Sequence, residues 1–315
     1  MASSTASLKV PQATMSLDND SVSTAPLNTK RKIVCFSDFD GTIFMEDSGH
    51  LLFNAFGCGD ERREILDQQI KTGERSFRDV SEEMWGSLNV PFADGFEVMK
   101  EGMNIDPEFK NFHQFCLNNQ IPFNVISAGL KPVLRSVLDH FLGEEAAANI
   151  DIVANEAEIS EDGSSWKVKW RHDNELGHDK ELSINEYKDA AQLESDDGTI
   201  PMIIFIGDGV SDLPAARHSD VLFARRGLRL EEYCIENKIA YLPFDTFADI
   251  QKEVIKIAKI DDDKTQGKGL PSNFNPRANM WRRVSSKRAI PTFAALTPAH
   301  EKMFIWPETF TEVKA

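Results

Sequence analysis

Asp38 and Asp40 stand two residues apart in Asp38-Phe39-Asp40-Gly41-Thr42, directly after the apolar run Lys32-Ile33-Val34-Cys35-Phe36-Ser37. Side chains two apart at a strand end leave the same face, so both carboxylates can reach one site above a sheet. Ionised carboxylates that close repel each other and any phosphate dianion, and a divalent cation among them relieves the repulsion. Oxygen ligands favour magnesium over zinc. A carboxylate so placed can attack phosphorus as a nucleophile or move a proton.

Such a pair has to be held by buried strands, and the chain supplies them. The run ending at Ser37 reads as a first core strand. Further strands are expected at Pro122 to Ile126, Ile150 to Ala154, Met202 to Ile206, Val221 to Ala224 and Ala240 to Leu242, with a minor strand from Trp166 to Trp170. Helices are expected near Pro132, from Ile184 to Leu193 and from Ser211 to Arg217, proline at the first turn marking the first of them. Alternating apolar strands and amphipathic helices give a doubly wound α/β sheet, whose ligands bind beyond the carboxyl ends of the strands. The loops after Ser37, Ile126 and Ile206 lie at such ends. Between Ser48 and Cys116 the apolar residues recur three and four apart, among them Phe77, Val80, Met84-Trp85, Phe96 and Met99, which reads as a helical insert.

With D-F-D-G-T after a strand, Ser127 at the end of a second strand, Lys180, and Gly207-Asp208-Gly209-Val210-Ser211-Asp212 in that order, the chain resembles the haloacid dehalogenase-like hydrolases, in their phosphoserine-phosphatase-like branch. The resemblance runs from about Lys32 to Lys259 and implies a Rossmann-like core with a small inserted α-helical cap. The domains are then a disordered tail over residues 1–30, core over 31–47 and 117–260, cap over 48–116, and a C-terminal tail over 261–315. It further implies magnesium, Asp38 as nucleophile forming an aspartyl-phosphate, and Asp40 as the acid that protonates the leaving oxygen, its backbone carbonyl facing the metal. Asp208 would be a further metal ligand and Asp212 would orient or bind the metal. Thr42, the Ser127 hydroxyl and the amides of Ala128 or Gly129 would bind phosphate. Lys180, in Gly177-His178-Asp179-Lys180, would neutralise phosphoryl charge, with Lys167, Lys169 and Lys188 as competitors; His178 is expected to be structural.

Cap residues would select the substrate. Asp47 stands about where phosphoserine phosphatases carry a glutamate for the substrate amine, and Phe77 also resembles them. The arginine they use for the substrate carboxylate falls near Met84, and Met84-Trp85 cannot form a bidentate pair with a carboxylate, which disfavours phosphoserine. An apolar lining from Phe44, Phe53, Phe77, Met84 and Trp85 would suit a less polar ester.

Net charge −16 and a pI near 4.9 work against non-specific attraction to nucleic acid or an anionic membrane. No run approaches the roughly 18 apolar residues of a membrane span. Four scattered cysteines, Cys35, Cys58, Cys116 and Cys234, give no zinc or disulfide pattern and fit a reducing, cytoplasmic setting. Asp261-Asp262-Asp263 reads as the start of a linker, and the tail beyond it carries Arg277, Arg282, Arg283, Lys287 and Arg288 beside Trp281, Phe304 and Trp306. The leading expectation is a phosphatase for a small-molecule phosphate ester. Its rivals are phosphotransfer or cleavage of a hydrophobic diphosphate ester by the same nucleophile, and a scaffold recruiting partners through its tails.

Overall fold

Strand β1 (Ile33–Ser37) is buried along its whole length, as a run of Ile, Val, Cys and Phe must be when both faces of a parallel sheet are covered. The computed structural model describes Leu27, residues 31–196 and residues 199–266. After β1 come helices α1 (Ser48–Phe56), α2 (Gly59–Thr72), α3 (Phe77–Gly86), α4 (Phe92–Gly102) and α5 (Phe109–Asn118). The chain then alternates: β2 (Phe123–Leu130), α6 (Lys131–Leu142), α7 (Glu144–Ala147), β3 (Ile150–Ile159), β4 (Trp166–Lys169), α8 (Lys180–Glu194) and β5 (Met202–Gly207). A 3-10 turn over Val210–Asp212 leads into α9 (Leu213–His218), followed by β6 (Val221–Arg225), α10 (Arg229–Glu236), β7 (Leu242–Phe244) and α11 (Phe247–Thr265).

Among the described residues the strands make one seven-stranded sheet in the order β4-β3-β2-β1-β5-β6-β7. Neighbours are parallel apart from β3 and β4. The alternation of side chains along β1 divides the core. Ile33 and Cys35 join the cluster that α5, α6 and α11 cover, and Val34 and Phe36 join the one that α8, α9 and α10 cover. This is the doubly wound α/β fold. The strand order reverses at β1, with β2 on one side and β5 on the other, so their carboxyl ends open the crevice in which such sheets bind ligands.

Helices α1 to α4 pack on one another. The α3 residue Trp85 stacks on Trp166 of β4 with ring centroids 6.3 Å apart, which ties the helical group to the sheet's edge. The fifth helix of the expected insert behaves differently: Phe109 of α5 packs on Phe123 of β2 and Phe247 of α11, at 5.4 and 4.9 Å between centroids. It covers the sheet rather than the crevice.

Three expectations change. The linker expected at Asp261-Asp262-Asp263 is helix, because Ile250, Val254, Ile257 and Ala258 keep α11 on the core and Asp261, 2% exposed, lies 3.6 Å from the Arg31 guanidinium. The last strand runs Leu242–Phe244 instead of starting at Ala240. Leu27, in the stretch expected to be a disordered tail, packs against the core and donates its amide to Asn119 Oδ1 at 2.6 Å. The basic and aromatic C-terminal cluster lies outside the described residues.

Candidate active site

Three loops at the carboxyl ends of β1, β2 and β5, together with the first residue of α8, form the site. The loop after β1 folds back on itself: the amides of Ile43 and Phe44 donate to the Phe39 carbonyl at 2.9 and 3.0 Å, and fully buried Phe39 anchors the turn in the core. Gly41 has φ +76°, and a Cβ there would lie 2.3 Å from Asp208 Oδ2. Only glycine satisfies both demands. Asp38 accepts the Phe39 amide on Oδ1 at 2.7 Å and meets Lys180 Nζ with Oδ2 at 2.7 Å. Asp40 turns the other way, towards α1, and accepts the Ser48 amide at 2.8 Å.

Lys180 is the first residue of α8, whose N-cap Asp179 accepts the amides of Glu181 and Leu182. That cap fixes where the helix starts and so where the lysine projects. Its ammonium bridges Asp38 and Asp212, at 2.7 Å from each, and the residue is 4% exposed. Lys167 and Lys169, the nearby competitors on β4, are exposed. Asp212 is completely buried; besides Lys180 it accepts the amides of Asp208 and Gly209, both at 3.1 Å. Gly207 makes this possible, since a Cβ there would sit 2.3 Å from Asp212 Oδ2.

A cavity of about 260 Å³ opens above these groups. Asp38, Asp40, Ser127, Ala128, Gly129, Lys180 and Asp208 line its floor, and Asp47, Phe77, Met84 and Trp85 line it from the helical side. Two expected residues lie elsewhere. Thr42, read from the sequence as a phosphate ligand, is fully buried and donates its hydroxyl to Asp208 Oδ1 at 2.7 Å. Phe44, read as apolar lining, is fully buried against Phe39 and Phe141. Sequence reasoning passed over His50, Asp67 and Ser81, which also line the cavity. The spacing of His50, three residues after Asp47 on a helical stretch, was a signal for the first.

Burial of so many carboxylates has a cost that shows in their proton affinities. Burial first, then the charges of Asp212 and Asp208, push Asp38 well above the usual carboxylate range, against the pull of Lys180. Burial and the Asp47 charge raise Asp40 to about 8, against the Ser48 amide. Burial and Asp212 raise Asp208 to about 6. For Lys180 burial acts to lower the value, but Asp212 and Asp38 outweigh it and the ammonium is held charged. One lysine is too little positive charge for this set. Carboxylate oxygens of Asp38, Asp208 and Asp212 lie within 4.8 Å of one another, and an all-oxygen donor set with surplus negative charge fits a hard divalent cation.

A family model described as haloacid dehalogenase-like hydrolase matches residues 35–217, more than half of the chain. The chain belongs to the haloacid dehalogenase-like hydrolases. Within that family it is similar to Pdp3-interacting factor 1 of Schizosaccharomyces pombe, 40% identical over 72% of this chain and 97% of the relative. A polyol phosphate phosphatase of Saccharomyces cerevisiae is 37% identical over 70% of this chain and 91% of its own length. A 2-hydroxy-3-keto-5-methylthiopentenyl-1-phosphate phosphatase of Bacillus mycoides is 30% identical over 72% of this chain and 98% of its own. A solved phosphoserine phosphatase carrying a phospho-aspartyl intermediate analogue has the same fold, with TM-score 0.53 at 13% identity, over 72% of this chain and 99% of that one. This haloacid dehalogenase-like hydrolase is a phosphoric monoester hydrolase.

Proposed function

We propose that the protein hydrolyses the phosphate monoester of a small, uncharged, hydroxyl-bearing alcohol through an aspartyl-phosphate on Asp38, with magnesium as cofactor. The observation that carries the reading is the contact of Asp38 with Lys180 on the floor of a cavity also lined by Ser127 and Asp208. Asp38 would attack phosphorus while the ester oxygen departs, and Asp40, raised to about 8, is protonated at neutral pH and can supply that oxygen's proton. Asp40, then ionised, would take a proton from the water that cleaves the aspartyl-phosphate, and inorganic phosphate leaves. Lys180 and the Ser127 hydroxyl would hold the phosphoryl oxygens throughout. Asp38 and Asp208, with Asp212 and the backbone carbonyl of Asp40 beside them, would hold the magnesium ion. When bound, the ion offsets the charge that gathers between nucleophile and phosphoryl group.

The leaving group is read from the lining. It contains no arginine among the described residues, so a substrate carboxylate would find no bidentate partner. Asp47, His50 and Ser81 offer hydrogen bonds to hydroxyls, and Phe77, Met84 and Trp85 an apolar wall. Two relatives are named for hydroxyl-bearing phosphate esters, a polyol phosphate and a methylthio-bearing hydroxyketone phosphate. A volume of about 260 Å³ suits a short chain better than a large hydrophobic diphosphate ester. Helices α1 to α4 are proposed as the cap that encloses it, in a soluble, cytoplasmic enzyme.

A panel of short-chain polyol phosphates, hydroxyketone phosphates and phosphoserine, assayed with magnesium and with chelator, tests the reading. Hydrolysis of the polyol and hydroxyketone phosphates at least about tenfold faster than of phosphoserine, lost with chelator and with Asp38→Asn, is expected. A preference for phosphoserine, or full activity of Asp38→Asn, would overturn it. The proton inventory gives a second test. Asp47→Asn keeps a good N-cap for α1 and removes a charge that raises Asp40. Since Asp40 acts protonated in the first step, the alkaline limb of kcat/KM should move to lower pH by about half a unit. An unmoved limb would show that another group sets it.

A further inference from the structure

We infer that Asn155 and His178 are positioning residues that aim the phosphoryl-binding turn, each by holding one of two consecutive backbone carbonyls on the far side of the turn from the cavity. The inference rests on the proposed role of Ser127 to Gly129 in binding the phosphoryl group. Strands β2 and β3 pair regularly up to Ile126 with Val153, and their register then shifts before Leu130 meets Asn155. The three intervening residues, Ser127, Ala128 and Gly129, are the ones that line the cavity floor. An irregularity of this kind frees a strand end to point its groups at a site, but it also removes the ladder bonds that would have fixed their direction.

Two buried side chains replace those bonds. His178 Nδ1 lies 2.6 Å from the Ser127 carbonyl, and Asn155 Nδ2 donates to the Ala128 carbonyl at 2.8 Å. A trans peptide unit is flat, with its carbonyl and the following N–H pointing in opposite directions. Fixing the Ser127 carbonyl therefore fixes the direction of the Ala128 N–H, and fixing the Ala128 carbonyl fixes that of the Gly129 N–H. The latter donates to Ser127 Oγ at 3.0 Å, which also orients the serine hydroxyl.

Both holders are themselves determined. A carbonyl only accepts, so His178 must carry its proton on Nδ1, which leaves Nε2 to accept from the Ser183 hydroxyl at 2.9 Å. Ser183 Oγ in turn accepts from Arg171 Nε at 3.1 Å. Asn155 is fully buried and its Oδ1 accepts the Arg171 amide at 2.9 Å, which settles which end of the side chain donates. Burial keeps the imidazole neutral, its value lowered to about 3 with some help from Lys180. Arg171 thus holds Asn155 directly through its backbone amide and reaches His178 through Ser183, and neither His178 nor Asn155 lines the cavity.

The test is direct binding of inorganic phosphate, followed by calorimetry with magnesium present, alongside melting temperature and the split of KM and kcat on a polyol phosphate. His178→Ala and Asn155→Asp each remove one carbonyl's donor; His178→Asn returns an amide N–H near the position of Nδ1. Phosphate affinity is expected to fall about tenfold in the first two and to recover most of that in the third, with magnesium affinity unchanged. KM should rise more than kcat falls for hydrolysis. Binding within twofold of wild type in both His178→Ala and Asn155→Asp, or no recovery in His178→Asn, overturns the inference. If His178→Ala does not fold, Asn155→Asp against wild type decides. A wild-type protein that binds no phosphate and hydrolyses no ester would instead overturn the phosphatase reading, so the two failures are distinguishable.

Discussion

Asp208→Asn is expected to abolish hydrolysis, by roughly three orders of magnitude or more, while making the metal-free protein more stable. The same three carboxylates that suit a cation repel one another without it. Asp208 titrates near 3.9 in an unfolded chain and at about 6 in the fold, raised by burial and by Asp212. The folded state therefore binds the proton more tightly, so the contribution of this group favours folding at low pH and is lost as pH rises through about 6. Asparagine keeps an oxygen to accept from Thr42 Oγ1 and carries no charge to be lost. At neutral pH its gain should be about 2 kcal/mol, shrinking towards zero as pH falls to about 4. Urea unfolding of both proteins in chelator from acid to neutral pH measures it. Added magnesium should raise the melting temperature of the wild type and not of the variant. A variant less stable than wild type at neutral pH would refute the argument that the ionised Asp208 carboxylate, through its burial and the Asp212 charge, strains the metal-free fold.

Lys180→Met should act in the opposite direction on stability and in the same direction on activity. Removing the ammonium leaves Asp38 and Asp212 buried without the cation that touches both at 2.7 Å. Breaking a buried pair from one side typically costs about 3–5 kcal/mol, because the remaining charge cannot recover its solvation. The amides that Asp212 accepts from Asp208 and Gly209 soften the loss at that residue, and Asp38 bears most of it. Acid, which protonates the stranded carboxylates, and magnesium, which replaces the positive charge, should each restore part of the stability. Hydrolysis should fall by at least about a hundredfold. Unfolding curves with and without magnesium, in acid and at neutral pH, separate these contributions. If stability is unchanged in chelator, the lysine does not carry the compensating charge assigned to it.

Much of the site was legible because its chemistry is written in short runs at strand ends. Asp38, Asp40, Asp208 and Asp212 lie in two such runs, and the strands before them bring both runs to one end of the sheet, although the turns rather than strand alternation set the direction of Asp40 and Asp212. Lys180 follows no apolar strand, so only the family resemblance of Gly177-His178-Asp179-Lys180 set it apart from Lys167, Lys169 and Lys188; in the fold it is its place at the start of α8, against Asp38 and Asp212, that does so. Thr42 was misread for a related reason. Its position beside the nucleophile turn is clear in the sequence, but whether its hydroxyl meets a phosphate or another loop depends on Asp208, 166 residues away. Asn155 left no sequence signal and His178 was expected only to be structural, because each meets a backbone carbonyl and a carbonyl has no identity in a sequence. In the fold, periodicity located the strands and most helices. It failed at Asp261-Asp262-Asp263, where composition suggested a linker but Arg31 and the core face of α11 carry the helix on.

The sheet order also bears on how the enzyme comes into being during synthesis. Strand β1 is the first element among the described residues, yet it is central, and its second neighbour is β5, with Ile33 opposite Met202. Until that late strand has emerged, β1 can pair on one side only, with β2, and Asp38 has no Ile206 carbonyl to receive its amide. Closing so long a loop is slow and its entropy must be met before the pairing rewards it. The nucleophile is thus translated early and assembled late, and a nascent chain interrupted before β5 holds half a sheet with no phosphatase in it.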